Sequence, residues 1–244
     1  MKDTEVNYTH KAEYHNDQAA SEVLPFVFNL HKIESVIDIG CGMGTWLSVA
    51  KKLGKKIQGV DGIEIDKNLL YIDEKEIIIQ DLREKLALNK KFDLAICLEV
   101  AEHLPMQAAD IIIETITEHS DFVLFSAAIP HQTGDHHINE QWPVYWQKLF
   151  ERKGFYPFDI LRPHFWNNVN IDWWYRQNML IYTNRKDLKH LGSSPAQVLS
   201  LVHPGLVKMK EAELHRLASQ VHHLNSIGFF SSVKRLIRSI LPKK

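Results

Sequence analysis

The stretch Ser35-Val36-Ile37-Asp38-Ile39-Gly40-Cys41-Gly42-Met43-Gly44-Thr45-Trp46 decides the fold. An aliphatic run enters three alternate glycines, after which Trp46, Leu47, Val49, Ala50 and Leu53 recur at helical spacing. Buried strand, glycine turn and helix, in that order, open an α/β sheet. Glycines let a ligand approach the backbone where a Cβ would block it. Asp38, two residues before the first glycine, can orient the turn and hydrogen-bond a ligand ammonium.

A dinucleotide site calls for G-x-G-x-x-G, with the pyrophosphate on the helix N-terminus. Here the third glycine comes one residue early and Thr45 takes its place. That spacing suits a ligand with an amino-acid end and no phosphate. A second strand is predicted over 57–61, ending in Asp61, whose carboxylate can take both ribose hydroxyls of a nucleoside. A third over 77–82 carries Asp81, placed to read an adenine amino group. The fourth, 92–98, is almost continuously apolar, as a strand buried on both faces should be. It runs into Glu99-Val100-Ala101-Glu102-His103-Leu104-Pro105.

On these residues the chain resembles the class I S-adenosylmethionine (SAM) dependent methyltransferases, over roughly 33–183. The resemblance implies an α/β fold: a Rossmann-like seven-stranded sheet with a helical C-terminal appendage. It implies SAM as cofactor and S-adenosylhomocysteine as product. Asp38, Gly40, Cys41, Gly42, Gly44 and Trp46 would surround the methionine part, Asp61 and Gly62 the ribose, and Asp81 and Leu82 the adenine, with Leu98 and Glu99 completing the donor site. The E-x-x-E-H form of the fourth motif implies that His103 lies near the transferred methyl group; a histidine that only caps and packs the turn is the alternative. For the whole stretch, the alternative is a nucleotide-binding or dehydrogenase-like domain.

A helix is predicted over 106–119 and strand five over 121–127. The pattern then breaks at Ile129-Pro130-His131-Gln132-Thr133-Gly134-Asp135-His136-His137-Ile138-Asn139-Glu140-Gln141-Trp142-Pro143, a polar loop leaving the sheet where ligands of open α/β folds bind. Histidines with Asp135 and Glu140 could hold a divalent metal. Adjacent His136 and His137 do not readily face one ion, however, and no H-x-x-x-H spacing occurs, so no metal is expected. The preferred reading is an acceptor pocket with a histidine as general base, because its pKa lies near working pH. His137 is the first choice and His103 the second. A structural loop with incidental histidines is the remaining alternative. His136, Asn139, Glu140 and Trp142 would bind substrate, with Tyr14 from a segment that often closes over the cofactor in the resembled family.

Next come a helix over 145–154, strand six over 155–161 and a last strand over 179–183. Between the two strands lie 162–168 and 172–178, rich in aromatics, amides and arginines. Ring faces stack on sugars, amides pair hydroxyls and arginine forks phosphate, so Arg162, Trp166, Asn167, Arg176 and Asn178 are assigned to the acceptor. The segments 125–130, 137–146, 161–163, 166–168 and 174–178 resemble a methyltransferase branch found with bacterial surface-polysaccharide (capsule or lipopolysaccharide) genes. That resemblance implies a small glycan-type acceptor and O-methylation. The alternatives are a metal-assisted O-methyltransferase or an N-methyltransferase and, from another class, a SAM-binding subunit of a glycan-assembly complex without turnover.

A chain of 244 residues with net charge -1 fits one catalytic domain with an appendage, and it exerts no general pull on nucleic acid. Three regions are expected: an N-terminal helical segment (1–32), with a helix over 21–30; the methyltransferase domain (33–184); and a helical extension (185–244). Within the extension, helices are predicted over 195–203, 204–224 and 229–241. Lys234, Arg235, Arg238, Lys243 and Lys244 give the last of these a basic face suited to an anionic membrane surface or to self-association. The two cysteines lack metal-ligand spacing, and free thiols fit a reducing compartment. No apolar run reaches the ~20 residues of a bilayer span and no signal-peptide core is seen. The expected location is the cytoplasm, or the membrane periphery.

Overall fold

The structure, a computed structural model, describes residues 16–194 and 197–240. Two compact units divide at 201/202. The larger unit begins with α1 (Gln18–Phe28), β1 (Ser35–Ile39), α2 (Thr45–Lys52), β2 (Lys56–Asp61), β3 (Ile77–Ile79) and β4 (Leu94–Leu98). It continues with α3 (Ala109–His119), β5 (Phe122–Ser126), α4 (Pro143–Arg152), β6 (Tyr156–Phe158), α5 (Leu161–Phe165), α6 (Trp173–Asn178) and β7 (Leu180–Thr183). The strands form one seven-stranded sheet in the order β3-β2-β1-β4-β5-β7-β6. β1 to β5 run parallel, and β7 is antiparallel to both of its neighbours. This is the Rossmann-like sheet expected from the sequence.

Alternation along the strands builds two cores. Leu94 and Ile96 of β4 and Phe122 and Leu124 of β5 face α1 and α2, while Ala95, Cys97, Val123 and Phe125 face α3 and α4. Sheet strands buried on both faces explain the continuous apolar runs. β1 pairs with both β2 and β4, as Asp38↔Gly59 and Asp38↔Ile96. The carboxyl ends of β1, β2 and β4 therefore lie side by side, the position where open parallel sheets bind ligands.

Several element boundaries differ from the sequence reading. The predicted strand over 155–161 is only Tyr156–Phe158, and 161–165 is helical. Leu161 and Phe165, four apart, bury together against the α1 core, with Phe165 edge-on to Phe26 at 5.4 Å. Residues 197–203 form no helix, although one was expected there. The smaller unit contains α7 (Pro204–Ile240), a single helix of 37 residues where two were expected. The stretch between 224 and 229 contains no proline, and Gly228 within it does not stop the helix. No helix among the described residues is long and apolar enough to cross a membrane. Tyr14, Lys243 and Lys244 lie outside the described residues.

Candidate functional site

The glycine turn is fixed by contacts that only glycine permits. Gly40, Gly42 and Gly44 have φ of 83°, 51° and 79°, in the left-handed region that costs other residues. A Cβ on Gly40 would come within 2.3 Å of the Val100 side chain, and one on Gly44 within 2.7 Å of Ile72. The first of these contacts presses the turn directly against the Glu99–His103 segment that follows β4. The amide of Gly42 donates to Asp61 Oδ2 at 2.8 Å, and that of Ile63 donates to Asp61 Oδ1 at 3.0 Å. Asp61, expected on the ribose, thus also ties the turn to the end of β2.

Asp38 and Asp61 are both buried. Burial, and then the nearby Asp61 carboxylate, push the Asp38 carboxyl well above the usual range. A cation beside it would offset both effects, which is what the ammonium of a methionine end supplies. The cradle therefore fits SAM. Cys41 is a buried free thiol, raised well above its usual value by burial and by Asp38. Trp46 is buried and packs edge-on against Tyr175 of α6 at 5.4 Å. Gly62, expected beside the ribose, is exposed, and on the adenine side Leu82 is buried. The Asp81 carboxylate is held below its usual range by Arg83, whose Nε and Nη2 grip it at 2.6–3.0 Å. A SAM adenine would have to share it with that pair.

On the other side of the turn lies a polar assembly drawn from four segments. Glu99, beyond Leu98 at the end of β4, has φ 53°. Its Oε1 accepts from Asn178 Nδ2 at 3.1 Å and its Oε2 from Gln132 Nε2 at 2.8 Å. Gln132 Oε1 in turn accepts from Asn178 Nδ2 (2.9 Å) and Gln177 Nε2 (3.2 Å). Burial raises the Glu99 pKa, and these amides oppose the rise. The network joins the β5–α4 loop to the end of α6. The loop itself is folded around Glu140, whose carboxylate accepts from the amides of His131 and Thr133 and pairs with His137 Nδ1 at 2.9 Å. His131, Thr133 and His136 all have positive φ. Such strain gathers where the surroundings over-determine the backbone, at functional sites above all. A Cβ on Gly134 would strike the His137 ring, within 2.2 Å of Nε2.

The amides of Ile138 and Asn139 donate to the Glu102 carbonyl at 2.9 and 3.0 Å. This brings His137 edge-on to His103, ring centroids 4.8 Å apart. Glu102 between them is fully buried, and neither carboxyl oxygen has a hydrogen-bond partner. The backbone amides of Glu102 itself and Ala128 lie close enough to favour its charged form, but neither meets hydrogen-bond geometry. Burial, and then the neighbouring Glu99, push its pKa well above the usual range. Asn139 is buried, with Nδ2 unbonded.

Other expected acceptor residues are less available. Arg162 is buried, paired with Asp159 and donating Nη1 to the Leu199 carbonyl at 2.9 Å, so its fork is spent inside the protein. Arg176 Nη1 donates to the Trp166 carbonyl at 3.1 Å. Trp142, His136 and Asn167 are exposed, and Trp166 is half-buried. Glu140 serves the loop rather than an open pocket. Sequence reasoning missed Gln132, Glu102 and Tyr175. Burial, again the main cause, raises the Tyr175 hydroxyl pKa, with Glu99 next. The one signal for Gln132 was its place in the polar loop between β5 and α4.

Comparison with known proteins bears on the family and the fold. A family model described as a methyltransferase domain matches residues 8–191. A ubiquinone biosynthesis O-methyltransferase of Rickettsia bellii is 34% identical over 74 residues, 28% of this chain and 31% of that protein. The corresponding protein of Rickettsia typhi is 26% identical over 108 residues, 42% and 44% of the two chains. The matches thus span less than half the length of these relatives. Among solved structures, a SAM-bound amino pentose methyltransferase from Micromonospora echinaspora superposes with TM-score 0.53 at 12% identity, covering 75% of this chain and all of that one. Magnesium protoporphyrin IX methyltransferase from Synechocystis PCC 6803, with bound S-adenosylhomocysteine, gives 0.52 at 19%, covering 75% and 90%. At these identities the likeness is one of fold.

Proposed function

The chain belongs to the methyltransferase domain family, and from that premise we propose that it transfers the methyl group of SAM to a hydroxyl of a small glycan-type acceptor. The observation that carries the reading is the contact of Gly40 with Val100. It sets the donor turn against the segment bearing Glu102 and His103, to which the loop bearing His137 is bonded. SAM supplies an electrophilic methyl group on a sulfonium. Asp38 faces its ammonium, Asp61 its ribose and the Asp81–Leu82 segment its adenine. The acceptor oxygen attacks the methyl carbon, and the carbon–sulfur electron pair stays on sulfur. Little else is asked of the protein than to align the two reactants and to accept the hydroxyl proton. His137, oriented by Glu140, is the proposed acceptor of that proton, with His103 beside it.

The glycan class is supported by the resemblance of the 125–178 segments to the polysaccharide-associated branch. Trp142, Trp166 and Asn167 offer exposed or half-exposed ring and amide faces there. The test is incubation with SAM and a panel of sugar nucleotides and phosphorylated sugars, following S-adenosylhomocysteine. Release that depends on a sugar supports the reading, while release that depends only on amines favours N-methylation.

For α7 we infer self-association through a helical seam. Val207, Leu214, Leu217, Val221 and Leu224 are exposed and recur at steps of seven, three and four, the spacing of a coiled coil. A cytoplasmic location follows from SAM and nucleotide-linked acceptors as substrates.

A further inference from the structure

We propose that Glu102, His103 and His137 form a binding site for a divalent transition-metal cation at the acceptor side of the sheet. Each of these side chains offers one ligand atom, and all three atoms lie within 4.8 Å of one another. Ligand distances of about 2.0–2.2 Å set such atoms up to roughly 4 Å apart, so modest rotation of two half-buried imidazoles closes the site. The second observation is Glu102 itself. It is 0% exposed, with neither carboxyl oxygen hydrogen-bonded. A buried carboxyl normally finds a partner, because leaving one without costs free energy. Glu99 and Glu140 lie within electrostatic reach of it and add negative charge, which a bound cation would offset. Two imidazoles and one carboxylate suit Mn²⁺, Fe²⁺, Co²⁺ or Zn²⁺ better than Mg²⁺ or Ca²⁺, and leave coordination positions open.

The sequence singles out His103 and His137 one by one but not as a set with Glu102, because they stand 34 positions apart in the chain. The pair of loops is brought together by two amides of the second loop bonding the Glu102 carbonyl. The metal considered from sequence alone used Asp135 and Glu140. Here Glu140 instead steadies His137 through Nδ1.

What the cation would do rests on the methyl-transfer reading; that it binds does not. An acceptor hydroxyl on the cation has its pKa lowered and loses its proton to water. The resulting oxygen bonds to the methyl carbon as the sulfonium–carbon bond breaks, and sulfur keeps the electron pair. With the cation bound His137 is its ligand and water takes the proton; the proton-acceptor role proposed for His137 is that of the metal-free chain.

The test is Mn²⁺ alone, titrated into the full chain after dialysis against a chelator, with free Mn²⁺ read by electron paramagnetic resonance and no SAM present. One equivalent should bind. Glu102→Gln, which keeps the size of the side chain, and His103→Ala should each weaken binding about 100-fold or more, since even outer-shell partners are worth 10–100-fold. His215→Ala on α7 should bind as wild type does. Circular dichroism and SAM calorimetry on each variant establish that the fold and donor site are intact. Absence of a stoichiometric site in the wild type, or a site that survives Glu102→Gln, overturns the proposal. Mn²⁺ binding with no sugar methylation would instead count against the proposed function and leave the metal site standing.

Discussion

The two sides of the proposed reaction centre are built differently. The donor side is local: Asp38 to Trp46 are consecutive, and one further carboxylate, Asp61, closes the turn through Gly42 and Ile63. The acceptor side is assembled from residues 102–103, 131–142 and 177–178, tied to the donor-site Glu99 by the side-chain amides of Gln132 and Asn178, and its loop carries three positive-φ residues. A ligand common to a whole family can be served by a short, repeatable unit. An acceptor peculiar to one branch is met by loops that a rigid sheet merely positions.

If the division is sound, damage to each side should show in a different measurement. The largest effect is expected at His137. His137→Ala should lower kcat by about 10²–10⁴, the usual share of a positioned proton acceptor, with SAM affinity near wild type by calorimetry. A matching loss of SAM affinity would mean that the two sides are not separable. Next, Asp61→Ala should weaken SAM binding by roughly 2–4 kcal/mol, since charged contacts to the ligand and to the turn are removed together. Calorimetry with unchanged affinity would remove Asp61 from the donor site.

Smaller effects should appear in stability. Gly40→Ala meets both a left-handed backbone and Val100, and chemical denaturation should show a loss of about 1–3 kcal/mol. Gly54→Ala has almost the same φ, 78°, but nothing within 4 Å. It should lose less, about 1 kcal/mol. Equal losses would show that the turn does not press on Val100.

The smallest effect depends on pH. The raised pKa of Glu102 means that the folded, metal-free chain holds its proton more tightly than the unfolded chain does. Its contribution to stability is therefore complete below the unfolded value of about 4.3. It is lost as pH rises through the raised folded value. Glu102→Gln escapes that loss, so its melting temperature should gain on wild type from pH 4.5 to 8. A constant difference across that range would show that Glu102 is not held protonated by burial.

The same contrast explains what could be read from sequence. β1 to β5, the glycine turn and its acids are signalled by neighbours in the chain, so period and spacing find them. The helix at Leu161–Phe165 was hidden because its two anchoring residues bury against α1, more than a hundred positions away. Arg162 looked like a phosphate fork; Asp159, three residues before it, takes one edge, and the Leu199 carbonyl, 37 positions on, is brought to it by a chain path that composition does not reveal. Gln132, a single polar residue in a polar loop, gains meaning only when Glu99 and Asn178 close on it.

The most direct measurement of the central claim is the fate of the methyl group. With SAM carrying a ¹³C-methyl, the purified chain and a glycan-precursor extract, nuclear magnetic resonance should find the label in a methyl ether of a small sugar-bearing molecule. His137→Ala should leave that signal at background while still binding SAM. Label appearing in an amine, or SAM bound with no acceptor labelled, would contradict the account.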